Sequence, residues 1–156
     1  ADKHNLWILE DACHAPGGSF ENSSGETIYC GDCRYADAAI FSFHPVKHIA
    51  AGEGGMITTN DQALKKEVET LRTHGITKDP EDLQENHGGW YYEMQQLGYN
   101  YRLTDIQCAL GLSQLQRADE GLKRRRAIAK RYDKAFANVD GVTTQDVSSH
   151  ERNSHH

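Results

Sequence analysis

The sequence contains no long run of apolar residues. Hydrophobic residues make up 37% of the 156 positions and occur in short stretches, whereas a membrane-spanning helix needs about 20 consecutive apolar residues. The first residues also lack the basic and apolar regions that mark a signal peptide. These absences predict a protein that has no membrane partner and is located in the cytoplasm.

An excess of basic residues is missing as well. The chain carries 17 Lys and Arg against 23 Asp and Glu, which gives a net charge of −6. Proteins that bind nucleic acids generally need a basic surface to displace counterions from the phosphates. The charge therefore argues against a nucleic-acid partner, and the one basic run, at 123–126, is interpreted as a solvated helix face.

Cysteine is scarce, and only one pair has the spacing of metal ligands. Cys30 and Cys33 form a single CxxC motif among four cysteines. A structural zinc site usually needs a second pair of ligands, and Cys13 with His14 is the only conceivable one. We favour free thiols and predict no metal site. The alternative of a different class is a non-enzymatic zinc-binding or regulatory module built around Cys30 and Cys33.

The most informative stretch is 38–60, AAIFSFHPVKHIAAGEGGMITTN. Its apolar and β-branched runs at 38–43 and 56–59 predict two buried strands. A proline and three glycines exclude a helix between them, so Lys47 is expected on an irregular loop. Upstream, the apolar run 6–9 predicts a buried parallel strand that ends at Asp11. Ligands in open α/β sheets bind at such strand ends.

Helix signals follow further along the chain. Asn60 and Asp61 predict the start of a helix, and TDIQ at 104–107 is a capping box that predicts a second one. The second helix is expected to turn apolar residues inward, namely Ile106, Ala109, Leu110 and Leu115. The polar stretch 76–89 is predicted to be a surface loop. The tail 142–156 has few apolar residues and is expected to be poorly ordered.

Three motifs resemble those of one known family. SFHPVK at 42–47 with GEGG at 52–55 resembles the cofactor-lysine segment of the DegT/StrS family of pyridoxal-phosphate (PLP) sugar aminotransferases. LEDACH at 9–14 and GYNYRLTD at 98–105 resemble two further family motifs, in the same order. Family members are more than twice as long, so the chain is interpreted as the central region of a larger enzyme.

The resemblance implies a fold and a division into domains. The fold would be α/β, part of the large domain of PLP-dependent transferases of fold type I, the aspartate aminotransferase type. It would have a mainly parallel sheet with flanking helices. Residues 1–117 would belong to the large domain, 118–138 would form a long connecting helix, and 139–156 would begin a small C-terminal domain.

The same resemblance assigns roles to four residues of one site. Lys47 would hold PLP covalently and act as the catalytic residue. Asp11 would lie beside the pyridine nitrogen, where a carboxylate keeps that nitrogen protonated and the ring a better electron sink. His14 would bond the phenolic oxygen of the ring, and Ser42 would bind the phosphate.

Two further residues are implied to act across a subunit boundary. Asn100 matches a phosphate ligand that reaches the neighbouring subunit's site, and Arg102 lies near the substrate there, so the enzyme is expected to be a homodimer. Without the family match, both would be interpreted as ordinary residues of a surface loop.

The segments 90–95 and 98–115 favour one substrate class. They most resemble the C4 transaminase of pseudaminic acid biosynthesis, which implies amino transfer from glutamate to C4 of a UDP-linked 4-keto-6-deoxy-N-acetyl sugar. Another keto sugar stays open as the substrate. Related sugar dehydratases have His where the aminotransferases have Lys, so Lys47 favours transamination.

Overall fold

The computed structural model describes all 156 residues and divides them into two compact units. The first unit contains Ala1–Thr59 and Asp105–His156, and the second contains Asn60–Thr104. The expected domain boundaries after 117 and 138 do not coincide with the limits of these units, and they stay predictions. None of the helices is both long enough and apolar enough to cross a membrane.

Eight short strands and three α-helices make up the regular structure. The strands are β1 (Leu9–Asp11), β2 (Ser19–Glu21), β3 (Thr27–Tyr29), β4 (Ala38–Ser42), β5 (Gly55–Thr58), β6 (Ile76–Thr77), β7 (Glu93–Met94) and β8 (Glu151–Arg152). The helices are α1 (Gln62–Arg72), α2 (Asp105–Leu115) and α3 (Ala118–Phe136), and a short 3-10 helix occupies Asp2–His4. The helices expected after 61 and 104 are confirmed, and α3 spans most of the expected connecting helix.

The sheet that matters for function has the order β1-β4-β5. Strands β1 and β4 are parallel, whereas β4 and β5 are antiparallel. The α/β class is confirmed, but within this chain parallel pairing is limited to β1 and β4, so the expectation of a mainly parallel sheet is not met here. Parallel neighbours need a long crossover connection, and β5 instead follows β4 directly through the loop 43–54.

Strand β1 is shorter than its sequence predicts, and the residues before it are more exposed to solvent than expected. It begins at Leu9 instead of residue 6, and Trp7 is 69% exposed. The prediction of a buried strand is wrong for these residues because β1 has only one neighbour, β4, and forms the edge of its sheet. The buried core consists mostly of small side chains, namely Ala12, Ile28, Cys33, Ala38, Ala39 and Ala51.

A second sheet contains residues from both ends of the first unit. Strands β2 and β3 form an antiparallel hairpin, and β8 pairs with the other side of β2. Although the tail was expected to be poorly ordered, its residues Glu151–Arg152 pair with β2 as strand β8. Backbone pairing and arginine contacts hold this segment, since Arg126 donates to Asn153 O at 3.0 Å and to Gly17 O at 2.9 Å. These contacts of Arg126 also correct the interpretation of 123–126 as a solvated helix face.

Helix α2 faces the opposite way from the predicted orientation. Ile106 is 83% exposed, and the other three residues expected inward are exposed too. The helix instead turns Gly111 toward Ala51, where an added Cβ would lie 3.5 Å from the alanine Cβ. Gln107 on the same side donates to Glu53 O at 3.3 Å. Small and polar residues allow this close approach, so apolar periodicity predicts the wrong face.

The second unit begins with α1. Asp61 caps the helix by accepting hydrogen bonds from Ala63 N at 2.8 Å and Leu64 N at 3.2 Å, as the sequence predicts. The stretch after α1 contains the two-residue strand β6, which pairs with β7. Most of the remaining residues up to 89 form an exposed loop, in agreement with the prediction.

Candidate active site

Two predicted site residues lie at the same edge of the β1-β4-β5 sheet. Asp11 is the last residue of β1 and is paired in register with Ile40 of β4. Ser42 lies two residues further along β4 and ends that strand. Because β1 and β4 are parallel, their carboxyl ends share one edge, which is where ligands bind in α/β proteins.

The loop 43–54 presents Lys47 beyond this edge. Its base is closed by two backbone hydrogen bonds, from Phe43 N to Gly54 O at 2.8 Å and from Ala51 N to Phe43 O at 2.9 Å. Within the loop, Lys47 N donates to His44 O at 2.9 Å, and His44 N donates to Ser42 Oγ at 3.3 Å. Lys47 is therefore carried on an irregular loop, as predicted, and hydrogen bonds fix the shape of that loop.

The side chain of Lys47 reaches His14. Its Nζ atom contacts Nε2 of the imidazole in a short hydrogen bond. His14 follows β1 and lies three residues after Asp11. The predicted lysine and histidine thus meet.

Asp11 is held as a carboxylate. Cys13 N donates to its Oδ1 at 3.1 Å, and the nearby Cys13 thiol together with this backbone bond lowers the pKa of Asp11 below its ordinary value. The nearby His14 and Lys47 lower that pKa further through their charge. The same contact raises the pKa of the Cys13 thiol. Cys13 was missed by sequence reasoning, and only its position beside Asp11 could have suggested it.

Residues 151–156 also reach this region, which nothing in the sequence pattern predicts. The ring of His156 stacks on that of His14 with 3.9 Å between centroids and 30° between planes. The His48 ring lies 5.7 Å from the His156 ring. Desolvation of the His156 ring lowers its pKa, and the nearby His14 and Lys47 lower this pKa further.

The two remaining predicted residues belong to the second unit. Asn100 forms an isolated β-bridge with Thr73, and both Asn100 and Arg102 are exposed. Their segment is fixed to the end of α1, because Tyr101 N donates to Arg72 O at 2.9 Å. Their roles in a partner subunit's site stay predictions.

Two glycines make a close backbone crossing ahead of this segment. Gly75 has a φ of 69°, and a Cβ added to it would lie 1.9 Å from Gln96 O. A Cβ on Gly98 would lie 2.1 Å from the backbone nitrogen of Gly75. Only glycine leaves room for this crossing at both positions. The crossing therefore fixes the position of the backbone at Gly98, where the 98–105 motif begins.

The CxxC cysteines take part in ordinary packing and hydrogen bonding. Cys33 is buried, and its thiol donates to Thr58 O at 3.2 Å. Burial chiefly raises the pKa of the Cys30 thiol, and Glu10 raises it further. None of the four cysteines forms a disulfide, and no group of three or more His, Cys, Asp or Glu side chains is arranged to hold a metal ion.

Known proteins similar to this chain include sugar aminotransferases. The chain is 36% identical over 156 residues to the UDP-4-amino-4,6-dideoxy-N-acetyl-beta-L-altrosamine transaminase of Campylobacter jejuni, and it covers 38% of that protein. Among solved structures, the PLP form of the sugar aminotransferase Spr1654 from Streptococcus pneumoniae is 31% identical, with a TM-score of 0.78 over 96% of this chain and 36% of its own.

A second solved structure is also similar. It is Helicobacter pylori PseC, an aminotransferase involved in the biosynthesis of pseudoaminic acid, with 34% identity and a TM-score of 0.72 over 89% of this chain and 33% of its own. The chain thus spans about a third of the length of these proteins. The sequence model of the DegT/DnrJ/EryC1/StrS aminotransferase family matches residues 1–156 of this chain. The chain therefore belongs to the DegT/DnrJ/EryC1/StrS aminotransferase family.

Proposed function

We propose that the intact protein is a PLP-dependent aminotransferase that moves an amino group from glutamate to C4 of a UDP-linked 4-keto-6-deoxy-N-acetyl sugar. The observation that carries this proposal is the contact between Lys47 and His14 beside the Asp11 carboxylate. The names of two similar proteins support the substrate class, one for a UDP-linked 4-amino-4,6-dideoxy sugar and one for pseudoaminic acid biosynthesis.

The residues at the strand edge fit PLP chemically. Asp11 is an ionised carboxylate that can bond a protonated pyridine nitrogen. Ser42 Oγ accepts a hydrogen bond from His44 N and keeps its own hydrogen for a phosphate oxygen. Lys47 offers a primary amine on the adjacent loop. When bound, PLP supplies an electron sink for the charge that develops on a substrate carbon.

The side chains of this site then have separate tasks. Lys47 would hold the cofactor covalently and, when its amine is free, would accept and return a proton at Nζ. Asp11 would hold a proton on the pyridine nitrogen. His14 contacts the Lys47 amine in the free enzyme and would bond the phenolic oxygen of the cofactor.

Assembly and location belong to the same proposal. Asn100 and Arg102 would complete the site of a partner subunit, so the active form would be a homodimer in the cytoplasm. A sugar dehydratase is a weaker candidate because Lys47 occupies the position where dehydratases have His. A zinc module is weaker too, because the buried Cys33 thiol is already hydrogen bonded to Thr58.

Reduction with borohydride tests the cofactor assignment. Full-length protein incubated with PLP should absorb in the visible, and reduction followed by peptide mapping should place the adduct on Lys47. Lys47→Ala should abolish the adduct, whereas Lys65→Ala, which changes an exposed lysine of α1, should leave it intact. An adduct on another lysine, or zinc at about one atom per chain without visible absorbance, would reject the assignment.

A substrate panel tests the sugar. Full-length enzyme with glutamate should aminate a UDP-linked 4-keto-6-deoxy-N-acetyl sugar with higher kcat/KM than GDP-linked or dTDP-linked 4-keto-6-deoxy sugars. Preference for a GDP or dTDP sugar would keep the aminotransferase and reject the UDP assignment. Release of water without amination would instead support a dehydratase.

A further inference from the structure

Ser154 is a buried polar residue beside the candidate site. It is 3% exposed, although it lies in a short segment that is otherwise largely accessible. A buried hydroxyl without a hydrogen bond is costly, and this one is satisfied, because Ser154 Oγ donates to His14 O at 2.7 Å. The partners are 140 residues apart in the sequence.

The backbone of the same residue makes a second contact. Nε2 of His48 lies 3.2 Å from Ser154 O. A carbonyl oxygen can only accept, so His48 carries a hydrogen on Nε2. The other ring nitrogen, Nδ1, is buried without a partner, and burial lowers the pKa of His48. Both observations favour a neutral ring with its hydrogen directed at Ser154.

These contacts join the two loops that form the site. His14 belongs to the loop after β1, which ends at Asp11, while His48 is adjacent to Lys47 on the loop after β4. We propose that Ser154 is a positioning residue of the active site, whose hydroxyl and carbonyl together fix His14, which contacts Lys47, and His48, which follows Lys47 in the sequence. The inference rests on the proposed function for its catalytic meaning.

The 151–156 segment is anchored independently of the Ser154 hydroxyl. Strand β8 pairs with β2, Arg126 donates to Asn153 O at 3.0 Å, and Arg125 donates to His155 O at 3.4 Å. Removal of the hydroxyl therefore leaves the segment in place. The His14 loop, in contrast, loses its hydrogen bond to Ser154, so stacking on His156 remains without that bond and fixes the His14 side chain at Lys47 less firmly.

The test compares two buried serines in the full-length protein. Ser154→Ala removes the bond to His14 O, and Ser19→Ala removes a hydroxyl from a similarly buried serine on β2 as the matched control. In cofactor-free protein, the imidazole ¹⁵N resonances of His14 should move in Ser154→Ala and stay unchanged in Ser19→Ala. This readout needs no PLP, so it is independent of the test of the proposed function.

The second readout is kinetic. Misplacement of a group next to the reacting atoms lowers the rate of the chemical step, so Ser154→Ala should lower kcat by about tenfold and leave KM for the sugar within about twofold. Ser154→Thr, which keeps a hydroxyl, should restore part of kcat. Unchanged His14 resonances in Ser154→Ala, or equal losses of kcat in Ser154→Ala and Ser19→Ala, would overturn the inference.

Discussion

The Lys47 amine contacts the imidazole of His14, 33 residues earlier in the chain. The contact joins the loop after β1 to the loop after β4, and these strands are the one parallel pair of the chain. Parallel pairing brings both strand ends to one edge, where the amine, the imidazole and the Asp11 carboxylate come together. The pairing therefore sets where the site lies, and residues 151–156 add further contacts to His14.

Replacement of Asp11 should damage catalysis and spare the fold. Asp11→Asn keeps the side-chain size but loses the charge that holds a proton on the pyridine nitrogen. Electrostatic groups of this kind contribute about 10²- to 10³-fold to rates, so we expect a loss of that order in kcat of the full-length enzyme. Steady-state kinetics and circular dichroism measure the two effects.

Asp140→Asn is the control for this change, since Asp140 is exposed on the turn after α3. It should retain full activity. Near wild-type turnover in Asp11→Asn would remove Asp11 from the mechanism.

His48 should make stability depend on pH. Burial lowers its pKa in the folded state below the ordinary value of 6.5, and Arg125, His156 and His14 lower it further. Between the lowered pKa and 6.5 the unfolded chain binds more protons, so the free energy of unfolding should fall as pH drops below about 6.5. Urea unfolding of full-length protein at pH values on either side of about 6.5 measures this loss.

The matched variants for this experiment are His48→Gln and His4→Gln. In the first variant the new amide can still donate toward Ser154 O but does not titrate, so the pH dependence should become weaker. His4 is exposed, and its replacement should leave the dependence as in the wild type. An identical slope in all three proteins would show that His48 does not titrate differently on folding.

Two inactive variants should complement each other if sites are shared between subunits. Lys47→Ala removes the catalytic amine, and the double variant Asn100→Ala with Arg102→Ala removes the residues proposed to enter the partner's site. In a symmetric dimer each contact occurs twice, so a mixed dimer regains one complete site. Mixing the two full-length proteins should therefore restore part of the activity.

Subunit exchange must be demonstrated for this test, for example with two differently tagged chains. Exchange without recovery would place Asn100 and Arg102 in their own chain's site or outside any site. Mixing wild-type enzyme with Lys47→Ala serves as the control for loss of activity by dilution.

Sequence reasoning located the parts of the site that depend on short-range signals. Strand β4, the loop with Lys47 and the start of α2 are each encoded by neighbouring residues. The strand end at Asp11 also follows from its flanking apolar run. Such local patterns are sufficient because turn residues and caps act within a few positions.

Contacts between distant residues were beyond the same reasoning. Ser154 bonds His14 across 140 positions, and no periodicity signals such a contact. The face of α2 was predicted wrongly because the first unit accepts Gly111 and Gln107 and leaves Ile106 exposed. Periodicity shows that a helix has an apolar side but not which neighbour it meets.

The crossing of Gly75 and Gly98 limits how this protein can diverge. The atoms in the way at each position are backbone atoms, Gln96 O for Gly75 and the Gly75 nitrogen for Gly98, and no side-chain change elsewhere can move them aside. Neither glycine can therefore be replaced alone, and no second substitution compensates for the replacement of one of them. A saturation library should find both positions intolerant, and loss of the pair would require a different path for the chain into the 98–105 motif.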